Sequence, residues 1–270
     1  MMKNYFILKQ IKKDFLWDYS YKISFFGQFA GMFLTLITFF FLSKTFEANQ
    51  SIHLDAYANN YFLFSIIGIA FLDHFSIFIR SLSTSIRSAQ AFGYIDTLLH
   101  SQRSTIFVMM CSLAYPYIKG NLKFIVYLLF ASLISDFTLT LHTYALASLI
   151  LFFSSLFFLG IAFLSGAFVL VYKQADPVNY LTNILISLFS GIIYPVSVLP
   201  SYLQVISDVI PATLSLELLR SLIFNGYLAV EIDTDLIRGF FITSIIVIIS
   251  FIVFNFAITK VKKDGSSGKY

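Results

Sequence analysis

Six long apolar stretches divide this chain, and its lysines and arginines crowd at both ends and into two connecting segments. Each stretch approaches or exceeds the ~20 residues a helix needs to cross the ~30 Å hydrocarbon core of a bilayer. Inside that core every backbone N–H and C=O must be paired within the protein, which for such stretches means helix. The pattern predicts an all-α membrane protein with six transmembrane helices. Composition agrees: charged residues are 12% of the 270 and hydrophobic residues 58%, against about 25% charged in soluble domains. No polar segment is long enough for a soluble domain. Residues 1–270 therefore read as a single transmembrane domain without a nucleotide-binding domain.

The spans are predicted at about 24–42, 61–79, 113–135, 144–171, 178–198 and 239–258. Residues 1–22 precede them as an amphipathic segment. Ile7, Ile11 and Phe15 recur at i, i+4 and i+8, Lys9, Lys12 and Lys13 fall elsewhere on the wheel, and Trp17, Tyr19 and Tyr21 follow. Aromatics beside lysines at the start of a span fit an interfacial helix in the headgroup layer, with membrane lipids as partners. The apolar run from Ser24 lacks a small-residue cleavage pattern, so it is expected to span and not to be a cleaved signal. Residues 80–103, rich in Ser, Arg and Gln, read as a polar connection holding a short amphipathic helix at 91–99. Pro116 and the run Lys119 to Lys123 interrupt the third apolar region and leave its start open. Lys173 to Pro177 is a polar turn, with Pro177 suited to the first turn of the next helix. Between spans 5 and 6, Leu203, Ile206 and Ile210 recur at i, i+3 and i+7, followed by Pro211, Leu214–Phe224 and Gly226. Two short helices between prolines cannot span, so this region is predicted to be a re-entrant helical segment or to lie at the interface.

Orientation follows from Lys and Arg placement. The N-terminal segment, the 80–123 region, the 173 turn and the C-terminal tail hold 15 of the 18 basic residues. The opposite side holds Lys44, Arg220 and Arg238 beside Glu47, Asp55, Asp136, Asp208, Glu217, Glu231, Asp233 and Asp235. Both termini are thus expected in the cytoplasm, which requires an even number of spans. The net charge of +4 is accounted for by this topology, and no nucleic-acid partner is implied.

Few residues offer chemistry. Asp73 and His74 are ionisable and fall inside the second span, which makes them functional candidates by default. Two readings stand: a proton relay, or a carboxylate satisfied by water and by Arg80 about two turns away. The tail Gly265 to Lys269 ends like a phosphate-binding loop but lacks its spacing and the strand–loop–helix setting. The lone Cys111 excludes an internal disulfide, and scattered histidines make a metal site unexpected. No nucleophile–base pairing is found, so no catalytic residue and no bound cofactor are expected. Gly93, Ile95, Asp96, Leu98 and Leu99 form a compact amphipathic unit between spans 2 and 3. Such a unit can dock in a partner's groove or be an ordinary interfacial helix.

Four stretches resemble the membrane permease subunits of the type-2 exporter (ABC-2) family in the ABC transporter superfamily. The first is Gly93-Tyr94-Ile95-Asp96-Thr97-Leu98-Leu99 after span 2. The second is the small-residue segment from Leu164 that ends at Lys173, Asp176 and Pro177. The most specific runs from Ser190 through Gly191, Tyr194, Pro195, Leu199 and Pro200 to Pro211, Glu217, Arg220 and Gly226. The last is the basic run before Gly265–Tyr270. Two positions depart: Asp96 stands for the usual Glu, and Ser101-Gln102 for the usual Thr-Pro. The resemblance implies a permease that moves a lipid-like, drug-like or glycan substrate out of the cytoplasm across the cell membrane. It implies a separate ATPase subunit that uses ATP and Mg, docking at Gly93–Leu99, and a second permease copy or close relative. A proton- or ion-coupled transporter using Asp73 and His74, and a non-transporting membrane scaffold, are the alternative readings.

Overall fold

The computed structural model describes residues 2–47, 57, 60–135, 140–173, 176–226 and 234–264. Asp55, Asp136, Glu231, Asp233 and the tail Gly265–Tyr270 lie outside these. Every regular element among the described residues is helical. The interfacial segment forms α1, Met2–Ser20, and after one residue the chain enters α2, Lys22–Glu47.

Helix α3, Tyr61–Ala91, starts where the Asn60 side chain accepts the Leu63 N–H at 2.9 Å. Its 31 residues reach about 46 Å at 1.5 Å each, well beyond the ~30 Å core. The expected end at Ile79 and polar connection from Arg80 are corrected: the helix runs on through Ala91. Leu82, Ile86 and Ala89 are fully buried at i, i+4 and i+7, so the Ser- and Arg-rich stretch is the solvated side of a packed helix. Gly93 then takes φ +73, which favours glycine, and a short helix α4, Ile95–Leu99, follows.

The third apolar unit begins eight residues earlier than predicted, as α5, Thr105–Ser112, and α6, Ala114–Ile134, which together form one span-length piece. Pro116 does not break it. It sits in the first turn of α6, where its missing N–H has no intrahelical acceptor to serve. Helix α7, Leu141–Tyr172, is capped by Thr140 and ends at Lys173 with φ 56.

Span 5 differs most from expectation. Helix α8 covers only Pro177–Phe189, about 20 Å, so the predicted 178–198 helix is corrected to little more than its first half. Gly191 turns at φ +69, and Pro195 and Pro200 immediately precede a 3-10 turn at Val196–Val198 and helix α9, Ser201–Val209. Helix α10, Pro211–Asn225, follows at 89° to α9. Helix α11, Thr234–Asp264, ends the described chain. Among the described residues, five helical units, with α5–α6 taken as one, can cross a membrane by length and composition, and the bent α9–α10 pair is a sixth apolar unit.

Helices α3 and α7 form the centre. The most apolar stretch of α3 is 72% buried, against 11% for α2 and 22% for α11. Phe75 of α3 stacks on Phe158 of α7, which Phe71 meets edge-on, while Phe163 of α7 meets Phe251 and Phe254 of α11.

Candidate functional site

Two ends of α3 carry the residues singled out by sequence. At its C-terminal end, Phe92, Gly93, Tyr94, Asp96 and Thr97 are exposed, whereas Ile95 and Leu99 are buried at 0% and 3% exposure. Leu98 lies half-buried against the core. The expectation that Ile95 and Leu99 fill a partner's groove is therefore corrected: both anchor α4 to this chain's own core. The large apolar side chains that this turn exposes are Phe92 and Tyr94, flanked by Asp96. Helix α1 braces this turn, with Trp17 edge-on to Phe92 at 6.2 Å. Burial, and after it the Asp14 carboxylate, raise the Tyr94 phenol above its usual pKa. It stays protonated and available as a donor.

Helix α1 is fixed to the third apolar unit by a partly buried polar contact absent from the sequence reading. Asp18 accepts from the Tyr115 hydroxyl at 2.7 Å and from Lys119 Nζ at 2.6 Å. Arg103 lies over the Phe6 ring at 4.9 Å, and Phe6 meets Phe107. Lys119 is thus one half of a partly buried ion pair that joins α6 to α1.

Asp73 and His74 part company. Asp73 pairs with Lys123 of α6 at 3.0 Å, with 30% and 11% of the two side chains exposed. Arg80 is not its partner, and no hydrogen bond joins it to His74. His74 is fully buried, edge-on to Phe75 and Tyr117. It packs so closely on Gly120 that a Cβ there would stand 2.5 Å from Nδ1.

Pro177 opens α8 as predicted. Asp176 caps α8 by accepting the Asn179 N–H at 3.0 Å, receives the Ser165 hydroxyl of α7, and is followed by Pro177 in the first helical turn. The contacts continue along α8. Asn183 donates to Asn179 Oδ1 at 2.7 Å and accepts from Ser76 of α3. Asp176, Asn179 and Asn183 stand at i, i+3 and i+7, so one helix face carries a polar stripe against α7 and α3. That spacing inside an apolar helix was a legible signal, and it was missed.

At the N-terminal end of α3 the re-entrant residues converge. Arg220 is buried at 2% exposure; its Nη2 donates to the carbonyls of Phe64 at 3.1 Å and Ile192 at 3.0 Å. Its guanidinium lies 3.5 Å over the Phe64 ring. Gly68 permits this approach, since a Cβ there would fall 2.2 Å from the Ile192 oxygen. The Tyr194 hydroxyl donates to the Leu188 carbonyl at 2.6 Å, closing the turn around Gly191. Pro195, Pro200 and Pro211 start successive helical pieces, and Leu199 accepts from the Gln204 amide at 2.7 Å. Glu217 is exposed one turn before Arg220. Among the described residues no cluster of His, Cys, Asp and Glu can hold a metal.

Comparison with known families bears on this arrangement. The profile described as ABC-2 type transporter matches residues 11–224, more than three quarters of the chain. No curated protein matches the chain closely.

Proposed function

Because the chain belongs to the ABC-2 type transporter family, we propose that it is the permease subunit of an ATP-driven exporter in the cell membrane. Its ATP and Mg are used by a separate ATPase subunit, which docks on the turn after α3. A second copy, or a close relative, completes a working unit with two such turns. Both termini and the α3–α4 turn face the cytoplasm. The observation that carries the reading is the exposed Phe92–Thr97 turn, set rigidly at the end of a helix about 46 Å long and anchored by the buried Ile95 and Leu99. A helix longer than the bilayer core transmits a push at that turn into α7, against which it packs. The Asp73–Lys123 pair argues against the proton-coupled alternative, because its carboxylate already has a cationic partner.

The test is co-purification with the ATPase subunit at matched membrane expression. Phe92→Ala removes surface that a partner would cover, roughly 1.5–3 kcal/mol if fully buried. That is about a ten- to hundredfold loss of association at ~1.4 kcal/mol per decade. Leu99→Ala is expected to act differently, costing about 2–5 kcal/mol of the permease's own stability as a core truncation. Full ATPase retention by a well-folded Phe92→Ala/Tyr94→Ala variant would place the docking surface elsewhere.

A further inference from the structure

Beside Arg220 lies a cavity of about 280 Å³ lined by Tyr57, Glu217, Arg220, Ser221, Phe224 and Asn225. A guanidinium stays charged in a protein, and a buried charge is costly unless it is paired. Among the described residues no carboxylate lies within ion-pair distance of Arg220. Two backbone carbonyls take its Nη2 donors, while Nε is buried without an acceptor. Glu217 lines the same space from one turn earlier and is exposed. A cation and an anion therefore face one cavity, with aromatic walls from Tyr57 and Phe224 and polar groups from Ser221 and Asn225.

A simple anion in this space would meet Glu217 as well as Arg220, and a simple cation would meet the reverse conflict. A molecule carrying both a phosphate and an ammonium satisfies both residues, and the aromatic rings favour the ammonium further. The volume falls just below the ~300–1,000 Å³ of sites for drug-sized molecules. It admits a headgroup and leaves any acyl chains outside. We propose that this cavity binds a zwitterionic phosphate–ammonium headgroup, supplied by a phospholipid or by the free phosphoamine.

The purified chain, exchanged into nanodiscs of phosphatidylethanolamine and phosphatidylglycerol in equal parts, tests this by native mass spectrometry of retained lipid. The wild type is expected to retain the ethanolamine lipid preferentially. Glu217→Gln is expected to reduce that preference about tenfold, the effect of losing one charged hydrogen bond, with retention of the glycerol lipid unchanged. Glu217 is exposed, so the variant leaves the core intact. Displacement of the lipid by O-phosphoethanolamine supports the free headgroup as occupant; resistance to it supports the membrane lipid. Equal retention of the two lipids by the wild type, or an unaltered preference in Glu217→Gln, would overturn the proposal. No ATPase is needed, so this outcome is independent of the coupling test.

Discussion

Gly68 shows how one missing methyl group fixes a contact between distant segments. The re-entrant turn lies on α3 with the Ile192 carbonyl where a Cβ would be, 2.2 Å away, and Arg220 Nη2 at 2.9 Å. The obstacle is backbone, so Gly68→Ala must push the turn outward and break the Arg220 bonds. Overpacking of this kind costs about 1–3 kcal/mol; a lowered melting temperature in detergent is expected, and unchanged melting would show that the turn is loosely held. Asp73 and Lys123 give a second prediction. Removing one partner of a buried pair costs ~3–5 kcal/mol, and less here because Asp73 is 30% exposed. Asp73→Asn and Lys123→Met are each expected to destabilise the protein more than the double variant does. Additive losses in that cycle would mean the pair is not coupled.

Helices were legible where local chemistry sets their limits. Asp176 before Pro177, the prolines at 200 and 211, and the glycines at 93 and 226 each mark a boundary the chain obeys. Two kinds of information were hidden. The continuation of α3 past Arg80 depends on Leu82, Ile86 and Ala89 finding a buried surface, which a window of Ser, Arg and Gln conceals. The ion pairs join residues 50 and 101 positions apart, so no local pattern names Lys123 as the partner of Asp73 or Lys119 as that of Asp18. The apolar run 178–198 looked like one helix because hydropathy does not register the φ of Gly191. At this scale the docking of α1 is testable. Asp18→Ala removes both acceptor contacts to α6 and leaves Lys119 half-buried without a partner. Backbone hydrogen exchange of α1 is expected to accelerate while α7 is unaffected. Unchanged exchange in α1 would show that its aromatic contacts alone hold it.

For the whole molecule, the family assignment and the fold describe a membrane transporter subunit whose central helix α3 ends in one exposed turn. The long helix α3 joins that turn to the re-entrant segment at its other end, so both proposed contacts, with an ATPase below and a headgroup above, act on one rod packed between α6 and α7. The central claim is that this rod is driven by ATP hydrolysis on another subunit. Its most direct test is ATP hydrolysis by the ATPase partner co-reconstituted with this chain in lipid vesicles. The account predicts that the permease stimulates hydrolysis, and that Phe92→Ala/Tyr94→Ala abolishes the stimulation without altering the basal rate of the ATPase alone. Hydrolysis indifferent to the permease, in vesicles where both proteins are folded and present, would contradict it.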